Sequence, residues 1–254
     1  MADDAEAVAH AETVTKYKNY LDRLEAGGRK RLLSIDGGGI RGLISIEILG
    51  RLEQLLREAY ADDDLRLADF FDYVAGTSAG AIIATGIALG MTMEEIRALY
   101  LHGARVMLKP APFFSRWYYR FRASGLTQAL KRELGDTRLG DPGLPRDGLS
   151  NIRELKSLLL LVMYNCNTDS PWPLSNNPKA KYAQGAASGG NNLYLPLWQL
   201  VRASSAAPTY FPPEKLAVGK QTFTFVDGAV TPYNNPSFST VHDGNAGTVQ
   251  VTMG

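Results

Sequence analysis

Gly76-Thr77-Ser78-Ala79-Gly80 sets a hydroxyl among small residues, the Gly-x-Ser-x-Gly pattern in which a chain turns sharply from strand to helix and leaves a serine exposed at the helix N-terminus. The bland reading of the same residues is a plain strand-to-helix turn. The flanks favour chemistry: residues 70–75 read as a buried strand and residues 81–89 as an apolar helix, the context that a nucleophilic serine requires.

A second strand-to-helix junction carries Asp36-Gly37-Gly38-Gly39-Ile40-Arg41-Gly42. Consecutive glycines let several backbone N–H groups point one way, which suits an anion. That anion is either a phosphate or the transient oxyanion of acyl transfer. The Gly-Lys-Ser/Thr ending of a Walker loop is missing, and Gly37, Gly39 and Gly42 fit the dinucleotide pattern Gly-x-Gly-x-x-Gly only loosely. The serine elbow tips the balance, because a serine nucleophile needs oxyanion donors, each worth about 3 to 4 kcal/mol in the transition state. Gly37, Gly38 and Gly39 are therefore the expected oxyanion hole. Arg41 opposes the dipole in the first turn of its helix, a placement that favours a functional role, such as attracting a phosphate headgroup, over a surface one.

The proton acceptor is less clear from spacing. Asp227 ends the alternating run 222–226 and precedes Gly228-Ala229, at a carboxyl strand edge where sites on open α/β sheets form. Its alternative is a solvated turn aspartate. Ser78, Asp227 and His242 follow the chain order of a conventional triad, and His242 lies in a polar loop. His10 falls in the N-terminal arm and His102 closes a helix, so both read as surface or cap residues.

The elements around these motifs alternate strand and helix. Residues 31–35 lead into the glycine loop, residues 42–60 have helical period, and Thr92-Met93-Glu94-Glu95 has capping-box spacing. Runs at 158–164 and 222–226 add strands, and 197–206 adds a helix stopped by Pro208. This alternation predicts an α/β fold with a parallel sheet. Residues 139–150 and 170–192, rich in Gly, Pro, Asn and Ser, read as loops. Residues 5–26 read as a helical packing arm ended by Gly27-Gly28.

In this order and context the motifs resemble the patatin-like phospholipases: the Asp-Gly-Gly-Gly-x-Arg-Gly loop at Asp36, the elbow at Gly76 and Asp-Gly-Ala at Asp227. The likeness extends through Arg202-Ala203-Ser204-Ser205-Ala206-Ala207-Pro208 and Pro212-Pro213, and covers about residues 31–236. It implies a three-layer α/β/α fold with a mostly parallel central sheet. It further implies hydrolysis of glycerolipid acyl esters, of a phospholipid or galactolipid, by a dyad of Ser78 and Asp227 without histidine, cofactor or metal. The division expected is an arm over 1–28 and a hydrolase domain over 29–254 that stops short of the further helices usual in the family. An ordinary esterase using His242, and a non-catalytic phosphate-binding or lipid-binding module, are the competing readings.

Twenty-seven basic and 26 acidic residues, net +1, give no nucleic-acid footprint. Membrane contact must therefore be local. Residues 112–122 pack six aromatics and three arginines, with Phe113, Trp117, Tyr118 and Phe121 the candidates for a membrane interface; the equal alternative is a core-edge cover. Asp62-Asp63-Asp64 reads as a solvated loop. A single cysteine, Cys166, an acidic N-terminus and no apolar run of spanning length fit a soluble, cytoplasmic chain, with delivery outside the cell left open.

Overall fold

The computed structural model describes residues 14–26, 28–107, 110, 119–140, 152–180, 191–237, 239 and 249–253; for 104–107 and 249–253 it describes the backbone alone. His10, His242 and most of the aromatic segment, including Phe113, Trp117 and Tyr118, lie outside these residues.

Its frame is a seven-stranded mixed sheet flanked by helices, ordered β5-β6-β3-β2-β1-β7 with β4 attached to β3. The central strands β1 (Arg31–Ile35), β2 (Tyr73–Thr77) and β3 (Leu158–Asn165) run parallel, and β7 (Val249–Met253) joins them beside β1. Burial on both faces explains why these central strands read as continuous apolar runs. On the other flank β6 (Gln221–Asp227) is antiparallel to β3, and β5 (Glu214–Val218) is antiparallel to β6.

Between the strands come α2 (Gly42–Tyr60), the short α3 (Leu67–Phe70), α4 (Ala79–Ala88), α5 (Met93–Met107), α6 (Ser124–Leu134) and α7 (Leu197–Ser204). Every residue of α4 is buried, which its Ala, Gly and Ile composition permits. At Gly86 an added methyl would stand 2.7 Å from Ile96 Cγ1, so glycine sets how closely α4 and α5 approach. The predicted capping box opens α5: Thr92 N–H donates to Glu95 Oε2 at 2.8 Å and Glu95 N–H to Thr92 Oγ1 at 3.0 Å.

Of the expected N-terminal arm, the described helix is α1 (Tyr20–Glu25). It is tied into the core: buried Arg23 pairs with Asp72 Oδ1 at 3.0 Å, while Asp72 Oδ2 accepts the Arg31 N–H at 2.7 Å. A buried cation left without this partner would be strongly destabilising. Asp62, expected to be solvated, accepts Lys16 Nζ at 2.6 Å, which explains why its carboxyl is held below the ordinary range.

The structure corrects the sequence reading at several elements. Residues 170–192 do not form one loop: β4 (Ser170–Ser175) pairs antiparallel with β3 despite Pro171 and Pro173. Two residues apart, both prolines lack an N–H on the same strand edge, which an outer strand tolerates. Likewise, Phe70 belongs to α3 and β2 runs on to Thr77, so the turn is sharper than expected. Cys166 lies one residue past the end of β3 and is exposed. Among the described residues no helix is long and apolar enough to cross a membrane.

Candidate active site

Ser78 sits between the last residue of β2 and the first of α4, at φ 57° and ψ −124°. A non-glycine residue there is strained by about 1 to 3 kcal/mol and persists only where its surroundings hold it. The flanking glycines make the turn possible. A methyl at Gly76 would stand 2.2 Å from the Gly80 carbonyl oxygen, and one at Gly80 would stand 2.3 Å from that of Ile35. Buried Ser204 supplies a restraint, accepting the Ser78 N–H at 3.0 Å while its own hydroxyl donates to the Val162 carbonyl at 2.6 Å. Ser205 Oγ lies 3.2 Å from the Ser78 carbonyl oxygen.

Asp227 arrives at the same point from the opposite direction. Ser78 Oγ donates to its Oδ2 at 2.6 Å, and the Ala229 N–H donates to Oδ1 at 2.8 Å. Asp227 is 2% exposed. Burial pushes its pKa up to about 6, against the two hydrogen bonds, which favour the charged form.

Above this pair lies the glycine loop. A methyl at Gly37 would come within 2.9 Å of Ser78 Cβ. The Gly37 N–H is taken by the Asn234 carbonyl at 3.3 Å, and Asn234 Nδ2 donates to the Gly37 carbonyl at 3.3 Å. The N–H groups of Gly38 and Gly39 have no partner among the described residues. Of the three expected donors, then, two are free and Gly37 is committed to Asn234. Gly39 takes φ 53°, a conformation that favours glycine, and its carbonyl accepts the Tyr100 hydroxyl. Burial pushes Tyr100 up to about 12.

These groups line one cavity of about 560 Å³. Ile82, Leu99, Leu126, Leu130, Phe121 and Phe211 make much of its wall, so an apolar chain fits beside the hydroxyl–carboxylate pair. Arg41 is exposed at the mouth, its guanidinium free of ion pairs among the described residues. His102 is exposed on α5 and is not among the cavity residues. Sequence reading gave Ser204 no role and missed Tyr100 and Asn234, and it missed the α6 wall, although Leu126, Ala129, Leu130 and Leu134 have helical spacing.

A strand-to-helix elbow on an α/β sheet, a serine bonded to a buried aspartate and a glycine loop beside them define a recognisable class of fold and site. The patatin-like phospholipase family model matches residues 33–239, and the chain belongs to that family. It is similar to the cGAMP-activated phospholipase of Vibrio cholerae, 30% identical over 218 residues, 84% of this chain and 57% of that protein. Patatin-T5 of Solanum tuberosum is 26% identical over 223 residues, 83% of this chain and 52% of that one. Among solved structures, VipD from Legionella pneumophila matches with a TM-score of 0.49 and 15% identity, covering 89% of this chain and 50% of VipD. The chain spans about half the length of the curated relatives it matches.

Proposed function

We propose that this chain is a lipid acyl hydrolase that cleaves glycerolipid esters, of a phospholipid or galactolipid, through a dyad of Ser78 and Asp227. The observation that carries the reading is the 2.6 Å hydrogen bond from the Ser78 hydroxyl to Asp227 at the end of an apolar cavity. The family, whose model is named for phospholipases, supports it.

Asp227 accepts the hydroxyl proton as Ser78 Oγ attacks the ester carbonyl carbon. The oxyanion that forms is met by the free N–H groups of Gly38 and Gly39, with Gly37 holding the loop against Asn234. Collapse expels the alcohol, which takes the proton from Asp227, and leaves an acyl ester on Ser78. Water then attacks with Asp227 as base again. A carboxyl raised to about 6 is a better base for this task than an ordinary aspartate and is still ionised at neutral pH. Arg41, at the mouth, is placed to meet a headgroup phosphate.

Residues 29–254 form the hydrolase domain in this reading and residues 1–28 an N-terminal arm. One exposed cysteine suits a reducing compartment such as the cytoplasm. The test is fatty-acid release from mixed phospholipid vesicles by the wild type and by the Ser78→Ala, Asp227→Asn and His242→Ala proteins. Loss in the first two with retention in the third is expected. Loss in His242→Ala would replace the dyad by a conventional triad.

A further inference from the structure

Seven large hydrophobic side chains are exposed among the described residues; two of them line the cavity and two more stand close in sequence to lining residues. Ile40 and Tyr210 line the opening and are 67% and 45% exposed; Ile44, one helical turn beyond Ile40, is 62% exposed; Val230, next to the lining residue Ala229, is 52% exposed. They come from three separate stretches of chain: the glycine loop with the start of α2, the segment after α7, and the turn after β6. Nothing in local structure requires aliphatic residues there. The face of α2 that packs on the core is supplied by Ile46, Leu49, Glu53 and Leu56, so Ile44 lies on the outer side.

Tyr210 is held in this position. Thr209 takes φ 67°, the Phe121 N–H donates to the Tyr210 carbonyl at 2.9 Å, and the Phe121 ring stacks on Tyr210 at 6.2 Å. The Arg120 guanidinium lies 5.4 Å from the Tyr210 ring centroid. Arg120 is exposed, as is Arg41 on the Ile40 side. Glu47, the acid nearest in sequence to Ile44, pairs with Arg97 at 2.6 Å.

We infer that this rim is a docking face for an anionic lipid bilayer, with Ile40, Ile44, Tyr210 and Val230 entering the acyl boundary and Arg41 and Arg120 meeting headgroup phosphates. The inference rests on the lipid-hydrolase reading above and adds to it where the protein meets the membrane. Apolar side chains around an apolar cavity give an acyl chain a path from bilayer to Ser78 without crossing water. The cations add an electrostatic attraction that salt screens.

The test compares the full chain with an Ile44→Ser, Val230→Ser double variant; neither residue lines the cavity. Three readouts are needed: co-sedimentation with phosphatidylcholine vesicles with and without phosphatidylglycerol, fatty-acid release from them, and hydrolysis of a water-soluble p-nitrophenyl butyrate. The variant should lose vesicle binding and vesicle turnover by about tenfold or more, with the soluble ester cleaved at the wild-type rate. The wild type should bind phosphatidylglycerol vesicles more tightly than neutral ones, and less so in high salt. Equal vesicle binding by variant and wild type overturns the docking face. So does a wild-type dimer in sedimentation that the variant dissociates, because the rim would then face a second copy. If wild type fails on the soluble ester too, the hydrolase reading fails instead.

Discussion

Thr77 and Asp227 pair with consecutive residues of one strand, Val162 and Met163. Residues 160–165 of β3 also pair with β4, so β2 and β6 must share the opposite edge, one ending where the other ends. Strands of opposite direction thus meet head to head. The residue after Thr77 is Ser78, and the Ser78–Asp227 contact follows from strand register. Gly228 completes the junction, since a methyl there would stand 2.5 Å from the Val162 carbonyl oxygen.

The raised pKa of Asp227 predicts opposite effects of pH on activity and stability. As a proton acceptor it must be ionised, so kcat/KM should fall about tenfold per unit below pH 6 and level off above it. For stability, the folded state holds the proton up to about 6, while unfolding exposes the carboxyl to water and returns it to its ordinary value of 3.8. Between these values the folded state binds more protons than the unfolded one, so Asp227 costs stability as pH rises through that window. Asp227→Asn should be inactive yet more stable than wild type at pH 8, by up to about 3 kcal/mol, and no more stable near pH 4. Urea unfolding at the two pH values checks this. A less stable variant at pH 8 would mean that the bonds to Ser78 and Ala229 outweigh the desolvation of the carboxylate.

Ser204 holds the strained nucleophile through the Ser78 N–H and is itself held by the Val162 carbonyl. Ser204→Ala leaves both groups buried and unpaired, a cost of about 1 to 3 kcal/mol. It should lower kcat by about 10- to 100-fold with little change in KM. Labelling of Ser78 by a fluorophosphonate probe should slow in parallel, because that reaction needs the nucleophile but not the lipid. The inflection near pH 6 should stay in place, as Asp227 is untouched.

Both members of the Ser78–Asp227 pair, the proposed dyad, could be picked out of the sequence because the elbow and the Asp-Gly-Ala turn are short local patterns with fixed strand contexts. The groups that hold them were not, because the contacts are long-range: Ser204 and Asn234 lie 126 and 197 residues from the partners they hold. β4 hid behind its prolines, whereas β7, which the sequence reading did not name, carries the strand alternation Val-Gln-Val-Thr-Met and pairs with β1. The glycine loop was read as three equivalent donors, and only the backbone bond to Asn234 distinguishes Gly37 from its neighbours.

Tyr100 fixes the glycine loop by donating its hydroxyl to the Gly39 carbonyl, and the space it occupies excludes any side chain at Gly42, where a methyl would stand 2.6 Å from the phenol oxygen. Tyr100→Phe keeps the packing and removes the bond. A drop of about tenfold in kcat is expected, as the free N–H groups of Gly38 and Gly39 lose their fixed aim. Because Tyr100 is pushed up to about 12, it stays protonated through the working range, so the loss should be uniform from pH 5 to 9. A loss that grows with pH would contradict this role.

Chain-length preference should be set by α6, whose Leu126, Ala129 and Leu130 form one wall of the cavity. Ala129 is the smallest of the three and is 5% exposed, so Ala129→Phe projects a ring into space now open to an acyl chain. Each methylene denied burial removes about 0.8 kcal/mol, roughly a fourfold loss in kcat/KM. Across a series of p-nitrophenyl esters from butyrate to palmitate, the variant should match wild type on the shortest and fall progressively behind on longer chains. Parallel profiles for the two proteins would place the acyl chain against another wall, the one built from Leu99 and Phe211.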